Sequence, residues 1–411
     1  MSQQNILILC TRVPWPPKDG GSLAMLNMIR AYHKAGLQVT VMCMNTSRHY
    51  VQLKTLPADI RQHAEFYAVE VNTDVRTRDM LANFIFSKTS YHVQRFTSKP
   101  FRIELENLLR KKSFDFVQLE TLYMAPYIQQ IRAGQPDALI VFRAHNVEHE
   151  IWERRAANMD NPLKKYFLDE TAFRIKAYEE SVLKAGLFDV MVPISGRDEE
   201  NLKKLGATKP SYVCPAGIDF DTVADQAAEV EFPSVFYLGA LDWTPNAEGL
   251  DWFLAQVWPR IHSHYPKVPL YIAGRNMPAR YSTFTRQQIT ALGEIDDVAE
   301  LYQQKAIMIA PILSGSGIRV KILEGMAYGK PIVATSMAAE GIGLTHGDQI
   351  MIGDTPDAFA NAVSVLIEHP DLCDTIGAHA RQFARSRFDS TALTQKLLDY
   401  LRKQLAAKRG G

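Results

Sequence analysis

The sequence predicts an α/β protein of two doubly wound domains, each a parallel sheet covered by helices on both faces. Two observations lead to this prediction. The chain of 411 residues is longer than one hydrophobic core usually supports, and 46% of it is apolar, enough to fill two cores. In both halves, short apolar runs rich in β-forming residues alternate with segments of helical periodicity.

The first half opens with a βαβ unit. Residues 5–10 form an apolar run typical of a buried parallel strand, and residues 11–22 are a loop rich in proline and glycine. An amphipathic helix follows and ends at Gly36, after which residues 38–44 resume a β-rich run. Further strands are predicted at 66–71, 115–119, 138–143 and 188–192.

The second half repeats this order. Residues 234–238 predict a strand, and Thr244-Pro245 begins a helix whose apolar residues continue to Ile261. Residues 219–231 carry five acidic residues and little periodicity, as a hinge would. Later strands are predicted at 268–273, 306–310 and 331–334. The expected parts are an N-terminal domain over 1–220, a hinge over 221–231, a C-terminal domain over 232–390, and an amphipathic helix over 391–411 that could pack back on the N-terminal domain.

Composition excludes several classes of protein. The formal net charge of +1 gives no electrostatic reason to expect a nucleic-acid partner. The four cysteines form no CxxC pair, which fits a reducing compartment and argues against a zinc site or a disulfide framework. The first apolar run is too short for a signal peptide, and no segment is apolar for long enough to span a membrane. We therefore expect a cytoplasmic protein.

The loop after the first strand lies where open α/β sheets bind ligands. Gly20 and Gly21 would let the backbone approach a phosphate closely, and the helix that follows begins with free N–H groups. The alternative is that these glycines only turn the chain into the helix.

A second anion site is predicted within residues 311–335, whose pattern indicates a strand, a Gly/Ser loop, a short helix and another strand. Ser316 and Gly317 lie at the helix start, a place suited to a diphosphate. Glu324, about two turns on, could accept two hydrogen bonds from a vicinal diol such as ribose. The alternative is a solvated pair between Lys321 and Glu324, worth only ~0.2–0.5 kcal/mol.

Residues 324–333, Glu-Gly-Met-Ala-Tyr-Gly-Lys-Pro-Ile-Val, closely match a known donor-binding signature. Through them the chain resembles the retaining glycosyltransferases of family four, which have the GT-B fold. The resemblance implies two Rossmann-like domains that face each other across a cleft, the C-terminal one binding a nucleotide-sugar and the N-terminal one lying on the acceptor side. Other matching segments occur in the family's order at 193–196, 214–219, 236–239, 271–274 and 293–297.

The resemblance also implies roles for individual residues. Glu324 would hold the nucleotide ribose, and Gly20 and Gly21 would lie against the diphosphate or the sugar. His145, which follows a predicted strand, would contact the donor sugar or the acceptor. From the residues alone, a structural role for this histidine is an equal alternative. Glu148 could orient it or merely begin the next helix, where acids are favoured.

The chain departs from the family's pattern at the donor site. The family's first glutamate falls on Ser316, so sugar recognition must differ. A basic pair usually follows the first strand of the second domain, but here Gly239 begins a segment that lacks the arginine, and Asn246 stands near the expected lysine. We hypothesise that Arg319 and Lys321, found where the family commonly has neutral residues, stabilise the leaving diphosphate instead.

Two further features have a functional and a structural interpretation. Asp219-Phe-Asp221 formally matches the motif with which another glycosyltransferase fold holds manganese, but it lies near the predicted hinge and matches the family's Asn-Gly-Val-Asp loop, so no metal is expected.

Residues 76–112 contain nine basic and three acidic residues with interleaved aromatics. They could rest on anionic lipid, at ~1 kcal/mol per basic residue, or form a solvated surface over core aromatics.

The sequence therefore predicts transfer of a sugar from a UDP- or GDP-sugar to a hydroxyl of a glycan or lipid-linked acceptor, in the synthesis of cell-surface polysaccharide or glycolipid. The resemblance implies retained anomeric configuration and no tightly bound cofactor. No carboxylate stands out as a covalent nucleophile, which favours direct same-face attack by the acceptor. The alternatives are an epimerase or hydrolase on the same fold and a noncatalytic partner subunit, the latter suggested by Ser316.

Overall fold

The chain forms two compact units in a computed structural model. The first unit comprises Met1–Pro17, Gly21–Pro215 and Thr391–Gly411, and the second comprises Lys18–Gly20 and Ala216–Ser390. The residues that the structure describes are 3–17, 19–87, 89–223, 229–283, 287–295, 297–314 and 317–410.

The first unit contains a six-stranded sheet within its described residues, in the order β3-β2-β1-β4-β5-β6 with parallel pairing. This is the order of a doubly wound dinucleotide-binding sheet. Because alternate residues of a strand point to opposite faces, Leu7 and Leu9 of β1 join one hydrophobic core and Ile6 and Ile8 join another. The strands are β1 Asn5–Cys10, β2 Gln38–Thr46, β3 Glu65–Val71, β4 Phe116–Glu120, β5 Leu139–Ala144 and β6 Val190–Pro193.

The helices of the first unit cover both faces of this sheet. Sequence signals at their first turns are those expected: the Ser98 side chain accepts a hydrogen bond from the Phe101 amide at 3.4 Å, and Asn161 accepts one from Lys164 at 3.0 Å. They are α1 Gly20–Lys34, α2 Ala58–Arg61, α3 Thr77–Phe86, α4 Tyr91–Gln94, α5 Lys99–Lys111, α6 Ile128–Gly134, α7 Glu148–Ala157, α8 Pro162–Ala185 and α9 Gly196–Lys204.

The second unit repeats the strand order of the first. Its six described strands are arranged β12-β11-β10-β7-β8-β9 and are again parallel. The strands are β7 Glu231–Leu238, β8 Leu270–Ala273, β9 Ile289–Gly293, β10 Lys305–Ala310, β11 Ile332–Ala334 and β12 Met351–Ile352. The helices are α10 Thr244–Trp252, α11 Trp258–His264, α12 Val298–Gln304, α13 Val320–Ala327, α14 Ser336–Ala339, α15 Pro356–Glu368 and α16 Pro370–Phe388. The prediction of two doubly wound α/β domains is confirmed.

Three local features differ from the sequence prediction. The strands β9 and β12 were not predicted, because one is a half-exposed edge strand and the other is only two residues long. The helix predicted from Thr244 is interrupted by a π-helical turn over Phe253–Val257. Finally, α1 begins at Gly20, so both glycines of the predicted loop lie in the first turn of the helix.

The chain passes between the units at two main places, after Pro215 and after Ser390, and the short segment Lys18–Gly20 also belongs to the second unit. The first lies between Pro215 and Ala216, a few residues before the predicted hinge. In the second unit, the Ile218 amide donates to the Phe388 carbonyl at 2.7 Å, and the Ser390 amide donates to the Ile218 carbonyl at 2.9 Å. The last helix, α17 Ser390–Gly410, packs mainly in the first unit, where its leucines join the core formed by one face of β1.

Candidate active site

The candidate residues of each unit follow strands at the point where the strand order reverses. In the first unit β1 and β4 are neighbours whose connections lead in opposite directions, and in the second unit β7 and β10 have the same relation. Ligands of open α/β sheets bind outside the carboxyl ends of the strands at such a point. Gly239 follows β7, and Gly317 through Glu324 follow β10.

In the first unit, His145 follows β5 and is held by a buried carboxylate. Its Nε2 hydrogen-bonds Oε2 of Glu120, the last residue of β4. The same oxygen accepts a hydrogen bond from Arg143 at 3.0 Å, and both of these charged side chains are only 1% exposed. Burial alone would raise the pKa of Glu120, but the positive charge of Arg143 and the contact with His145 lower it to about 2.

A carboxylate with so low a pKa only accepts hydrogen bonds near neutral pH. His145 must therefore donate from Nε2, which fixes the ring and leaves Nδ1 as the nitrogen that can meet a ligand. A second layer supports Glu120, since Gln118 donates to its other oxygen and Tyr32 donates to Gln118 at 2.7 Å. Sequence reasoning missed Glu120, although an acid at the end of a fully buried strand is a usable signal.

Glu148 does not orient His145. It lies in the first turn of α7, where its backbone amide donates to Glu179 at 3.0 Å. Burial and the nearby charge of Glu179 raise the pKa of Glu148 to about 7. The neighbouring His149 also contacts Glu179, through Nδ1 at 2.7 Å. The second interpretation of Glu148, as the beginning of the helix, is therefore the one that agrees with the structure.

The backbone directly after Glu120 is strained. Thr121 has φ of 80°, a conformation that is unfavourable for a β-branched residue. Its hydroxyl oxygen is buried and has no hydrogen-bond partner among the described residues. Such strain persists where the surrounding structure enforces it, and it is common at functional sites. The amide of Thr121 is tied to the Arg143 carbonyl at 3.1 Å, which helps to hold this geometry.

The two glycines of the first loop lie at positions that differ from the prediction. Because α1 begins at Gly20, Gly20 and Gly21 themselves occupy the first turn, whose amides lack partners within the helix. The glycines are thus placed as donors rather than as loop residues that precede the donors.

In the second unit, Asn246 and Lys321 meet beside the end of β7. Lys321 donates from Nζ to Oδ1 of Asn246 at 3.0 Å, and its ammonium lies 4.8 Å from the ring centre of Tyr237. A side chain at Gly239 would not fit, since an added Cβ would lie 2.6 Å from the Tyr237 hydroxyl. The structure therefore brings Gly239, Asn246 and Lys321 together, although Asn246 and Lys321 are 75 residues apart in sequence.

Arg319 stands beside this group at the N-cap position of α13. It is buried, and its guanidinium carbon lies 5.2 Å from the ring centre of Trp243. Desolvation and the charge of Arg319 lower the pKa of Lys321 to about 7. The Lys321 ammonium therefore holds its proton less tightly than it would in water. A nearby anion would favour the protonated form and raise its pKa.

Glu324 lies one turn further along α13. Its carboxylate makes no hydrogen bond and no ion pair with any described residue, and desolvation raises its pKa to about 7. The alternative of a solvated Lys321–Glu324 pair is therefore wrong, because Lys321 turns to Asn246 instead. Glu324 is left with its full capacity to accept hydrogen bonds.

The loop before α13 is described only in part. Gly317 has φ of +85°, which requires glycine or a strained side chain. Ser314 donates to Glu248 at 3.0 Å. The predicted donor contact at Ser316 lies outside the described residues.

Known proteins share this architecture. Residues 232–369 match a family model described as glycosyl transferases group 1. Among solved structures, sucrose-phosphate synthase from Thermosynechococcus elongatus has a TM-score of 0.73 at 15% identity, over 98% of this chain and 100% of its own. HepE from Anabaena, solved in complex with UDP, has a TM-score of 0.67 at 15% identity, over 97% of this chain and 100% of its own.

Through residues 232–369, the chain is similar to the group 1 glycosyltransferases. It has the GT-B fold, and it is a nucleotide-sugar glycosyltransferase, as the sequence predicted. A relative from Klebsiella pneumoniae is 23% identical over 401 residues, which is 94% of this glycosyltransferase and 96% of the relative. That relative is named an uncharacterized 44.6 kDa protein in the cps region.

The Asp-x-Asp sequence of the transferase has a structural role. The Asp219 side chain accepts a hydrogen bond from the Asp221 amide at 3.3 Å and thereby caps the 3₁₀ turn over Phe220–Thr222. Among the described residues, no three His, Cys, Asp or Glu side chains are grouped as metal ligands would be. Over the same part of the chain, no helix has the length and apolar character needed to cross a membrane.

The basic and aromatic segment 76–112 divides into two parts. In α5 the aromatic residue is core and the bases are engaged: Phe101 is buried, Arg110 pairs with Glu106, and Arg102 donates to the Pro126 carbonyl at 3.1 Å. This part agrees with the solvated-surface alternative. In α3, by contrast, Phe86 is 86% exposed.

Proposed function

We propose that this glycosyltransferase moves a sugar from UDP- or GDP-sugar to an acceptor hydroxyl with retained anomeric configuration, in the synthesis of a cell-surface polysaccharide or glycolipid. The observation that carries the donor assignment is the pair of uncompensated groups on α13, Lys321 and Glu324, each with a pKa of about 7. The UDP bound by the structurally similar HepE and the relative's place in a cps region support the proposal.

On the second unit, the Glu324 carboxylate accepts hydrogen bonds from the two hydroxyls of the nucleotide ribose. The ribose thereby supplies the hydrogen bonds that this carboxylate lacks in the protein. Lys321 and Arg319 stabilise the diphosphate as the glycosidic bond breaks, because charge develops there in the transition state. Gly239 and Gly317 keep the backbone close to the donor, and Asn246 positions the Lys321 ammonium. The amides of Gly20 and Gly21 and the hydroxyl of Ser316 are further proposed donor contacts.

On the first unit, His145 contacts the donor sugar or the acceptor through Nδ1. Its fixed orientation favours a single position for that ligand, because Glu120 holds the other nitrogen. The reaction proceeds by direct same-face attack of the acceptor and uses no metal, with the departing diphosphate stabilised by the basic residues of α13. Orientation and electrostatic stabilisation supply the catalysis.

The test is a thermal-shift screen of the purified chain against UDP-, GDP-, ADP- and dTDP-sugars, followed by mass spectrometry of products formed with candidate acceptors. We expect a UDP- or GDP-sugar to raise the melting temperature, and the product's anomeric coupling constant to match that of the donor. An inverted product contradicts retention. Release of free sugar or an epimer without acceptor favours the hydrolase or epimerase alternative.

Replacement of Lys321 tests the compensation for the missing basic pair. Lys321→Ala should lower kcat/KM by about 10²-fold, because it removes a charge-assisted contact to the leaving group. Lys267→Ala, at an exposed position of the same unit, is the matched control. If turnover and donor affinity are unchanged in Lys321→Ala, another residue supports the diphosphate.

We also propose that a face of the first unit rests on anionic lipid. The most exposed large apolar side chains in the described residues, each 58–86% exposed, lie on two helices, α3 and α8, joined by a ring contact of 4.5 Å between Phe84 and Phe167. These residues are Ile85, Phe86, Leu163, Tyr166 and Phe173. Basic side chains of the same helices, including Arg78 and Lys164, complement an anionic surface.

Flotation with vesicles of neutral lipid, and of neutral lipid containing phosphatidylglycerol, tests this contact. We expect binding that requires the anionic lipid and is reduced in a double variant, Ile85→Ser with Phe86→Ser. Leu292→Ser, an exposed leucine of the second unit, is the control. Flotation that does not depend on anionic lipid, or on these two residues, contradicts the proposal.

A further inference from the structure

A pocket of about 530 Å³ opens in the first unit beside α3 and α4. Its volume lies in the range of small-molecule sites, roughly 300–1,000 Å³. The lining is mixed: it contains two arginines, two aspartates, several amide and hydroxyl groups, and the exposed ring of Phe86. None of the site residues described above lines it.

Arg95 is the unusual member of this lining. It is half-buried, and it makes no hydrogen bond and no ion pair with any described residue; its Nε is completely buried without a partner. Its guanidinium carbon lies 5.2 Å from the centre of the Phe96 ring. Desolvation lowers the pKa of Arg95, but a guanidinium stays charged in proteins. Removal of such a charge from water is costly unless an anion accompanies it.

No described carboxylate forms an ion pair with Arg95, although the negative charge of Asp74 lies close enough to act on it. Asp74 shares the pocket, but its carboxylate accepts a hydrogen bond from Ser47 at 2.6 Å. Asp79 also lines the pocket, and its carboxylate has no hydrogen bond or ion pair among the described residues. Arg76 adds a second, exposed guanidinium. The pocket therefore offers hydrogen-bond donors that can bind an anion. It also offers the Asp79 carboxylate, which can accept hydrogen bonds from hydroxyl groups.

The rim of the pocket is apolar on one side. Phe86 lines the pocket and is 86% exposed, and Ile85 beside it is 69% exposed. A ligand that leaves the pocket on this side passes over apolar surface rather than over charged groups. Groups that can bind a phosphate, hydroxyl groups and a hydrocarbon chain therefore lie next to one another in and beside this pocket.

We propose that this pocket binds the glycosyl-phosphate end of an amphiphilic acceptor, with Arg95 and Arg76 on the phosphate, Asp79 on sugar hydroxyls, and the hydrocarbon chain along Phe86 and Ile85. The inference rests on the proposed function, since it names the class of acceptor that the glycosyltransferase uses. It differs from the proposed lipid contact because it requires recognition of one molecule in a pocket.

Isothermal titration calorimetry with two probes, farnesyl diphosphate and inorganic pyrophosphate, tests the inference on the full chain with saturating UDP present. UDP occupies the proposed donor site, so that the probes report on the pocket. We expect farnesyl diphosphate to bind about tenfold more tightly than pyrophosphate, because burial of the chain adds to the phosphate contacts. Arg95→Gln should weaken both by about tenfold, as expected for loss of a charge-assisted hydrogen bond.

Three variants complete the experiment. Arg76→Gln, at an exposed position, tests the same phosphate contact without risk to the fold, and Arg110→Gln, an exposed arginine paired with Glu106 on α5, is the matched control. Phe86→Ser should weaken farnesyl diphosphate and leave pyrophosphate unchanged. If Arg95→Gln, Arg76→Gln and Arg110→Gln bind pyrophosphate with equal affinity, the proposed phosphate site is wrong. If the wild type binds both probes with equal affinity, the proposed contact with a hydrocarbon chain is wrong.

Failure of this inference and failure of the proposed function are distinguishable. If UDP and GDP both fail to bind in the preliminary titration, the donor assignment is wrong, whatever the pocket binds. If UDP binds but farnesyl diphosphate does not, the donor assignment stands and the acceptor class is wrong.

Discussion

Glu120 in the first unit is buried and Glu324 in the second is partly buried, and the protein treats the two carboxylates in opposite ways. Arg143 and His145 contact Glu120 and bring its pKa down to about 2. Glu324 has no such partner among the described residues, and desolvation raises its pKa to about 7. The charge of Glu120 is compensated within the chain, although Nε of Arg143 has no hydrogen-bond partner among the described residues. Glu324 lacks contacts that a ligand could provide.

This difference separates groups that support a site from groups that bind. A buried charge with all its partners fixes geometry, and the protein loses stability when one partner is removed. A shielded charge without a partner lowers stability in the free protein and gains when a ligand arrives. Arg95 resembles Glu324 in this respect, since it too forms no ion pair with a described residue and its Nε has no hydrogen-bond partner there.

The largest effect should come from breaking the network around Glu120. Glu120→Gln leaves Arg143 buried without a counter-charge, and we expect it to lower the free energy of unfolding by about 3–5 kcal/mol. Urea denaturation measures this change. Glu106→Gln, which removes an exposed pair with Arg110, should change it by less than about 1 kcal/mol. Similar values for the two variants would mean that the first network contributes no more than a surface pair.

Two histidines of the first unit, His145 and His149, should separate activity from stability. His145→Ala removes the group whose Nδ1 is free for a ligand, so we expect kcat/KM to fall by roughly 10²-fold. The melting temperature should fall less than in Glu120→Gln, because Arg143 still compensates the Glu120 carboxylate. His149→Ala removes a buried contact with Glu179 and should lower the melting temperature while the remaining folded enzyme keeps its kcat. An unaltered kcat/KM in His145→Ala would show that its ordered geometry serves structure alone.

The pH dependence of donor binding should reveal the uncompensated pair. The raised pKa of Glu324 means that its ligand-accepting, ionised form is gained as pH rises through about 7. The lowered pKa of Lys321 means that its anion-binding, protonated form is lost over the same interval. Affinity for a nucleotide sugar should therefore be greatest near pH 7, and each limb should change by at most about tenfold per pH unit.

Single variants should isolate the limbs of this profile. Glu324→Gln should leave only the fall at high pH, and Lys321→Gln should leave only the rise from low pH. Calorimetric titration between pH 5.5 and 8.5 measures both. A wild-type affinity that is constant over this range would mean that neither group changes its protonation when the donor binds.

The smallest effect should come from release of the strained backbone. Thr121→Gly removes the side chain that disfavours φ of 80° and also removes the buried, unpartnered hydroxyl. We expect a gain of about 1 kcal/mol in the free energy of unfolding, at the lower end of the cost of such strain. The control is Thr97→Gly, at an exposed position of the same unit. A loss of stability in Thr121→Gly would show that the threonine makes compensating contacts.

The sequence by itself determined the class of fold and the position of the donor signature. Both are encoded locally: apolar strands alternate with amphipathic helices, and α13 is the helix that carries the signature at Glu324. Local patterns did not reveal β12, because two residues are too few to show a period, nor the start of α1, because glycine is a poor indicator of a helix.

Tertiary structure decided which of the charged residues are compensated. Glu120 meets Arg143 and His145 because β4 and β5 are neighbours in the sheet, 23 and 25 residues apart in sequence for these pairs. Lys321 finds Asn246 rather than Glu324, three residues away on its own helix. Desolvation and pairing depend on the packing of distant segments. The sequence therefore determines which residues can carry a charge, whereas their pKa values and partners follow from the fold.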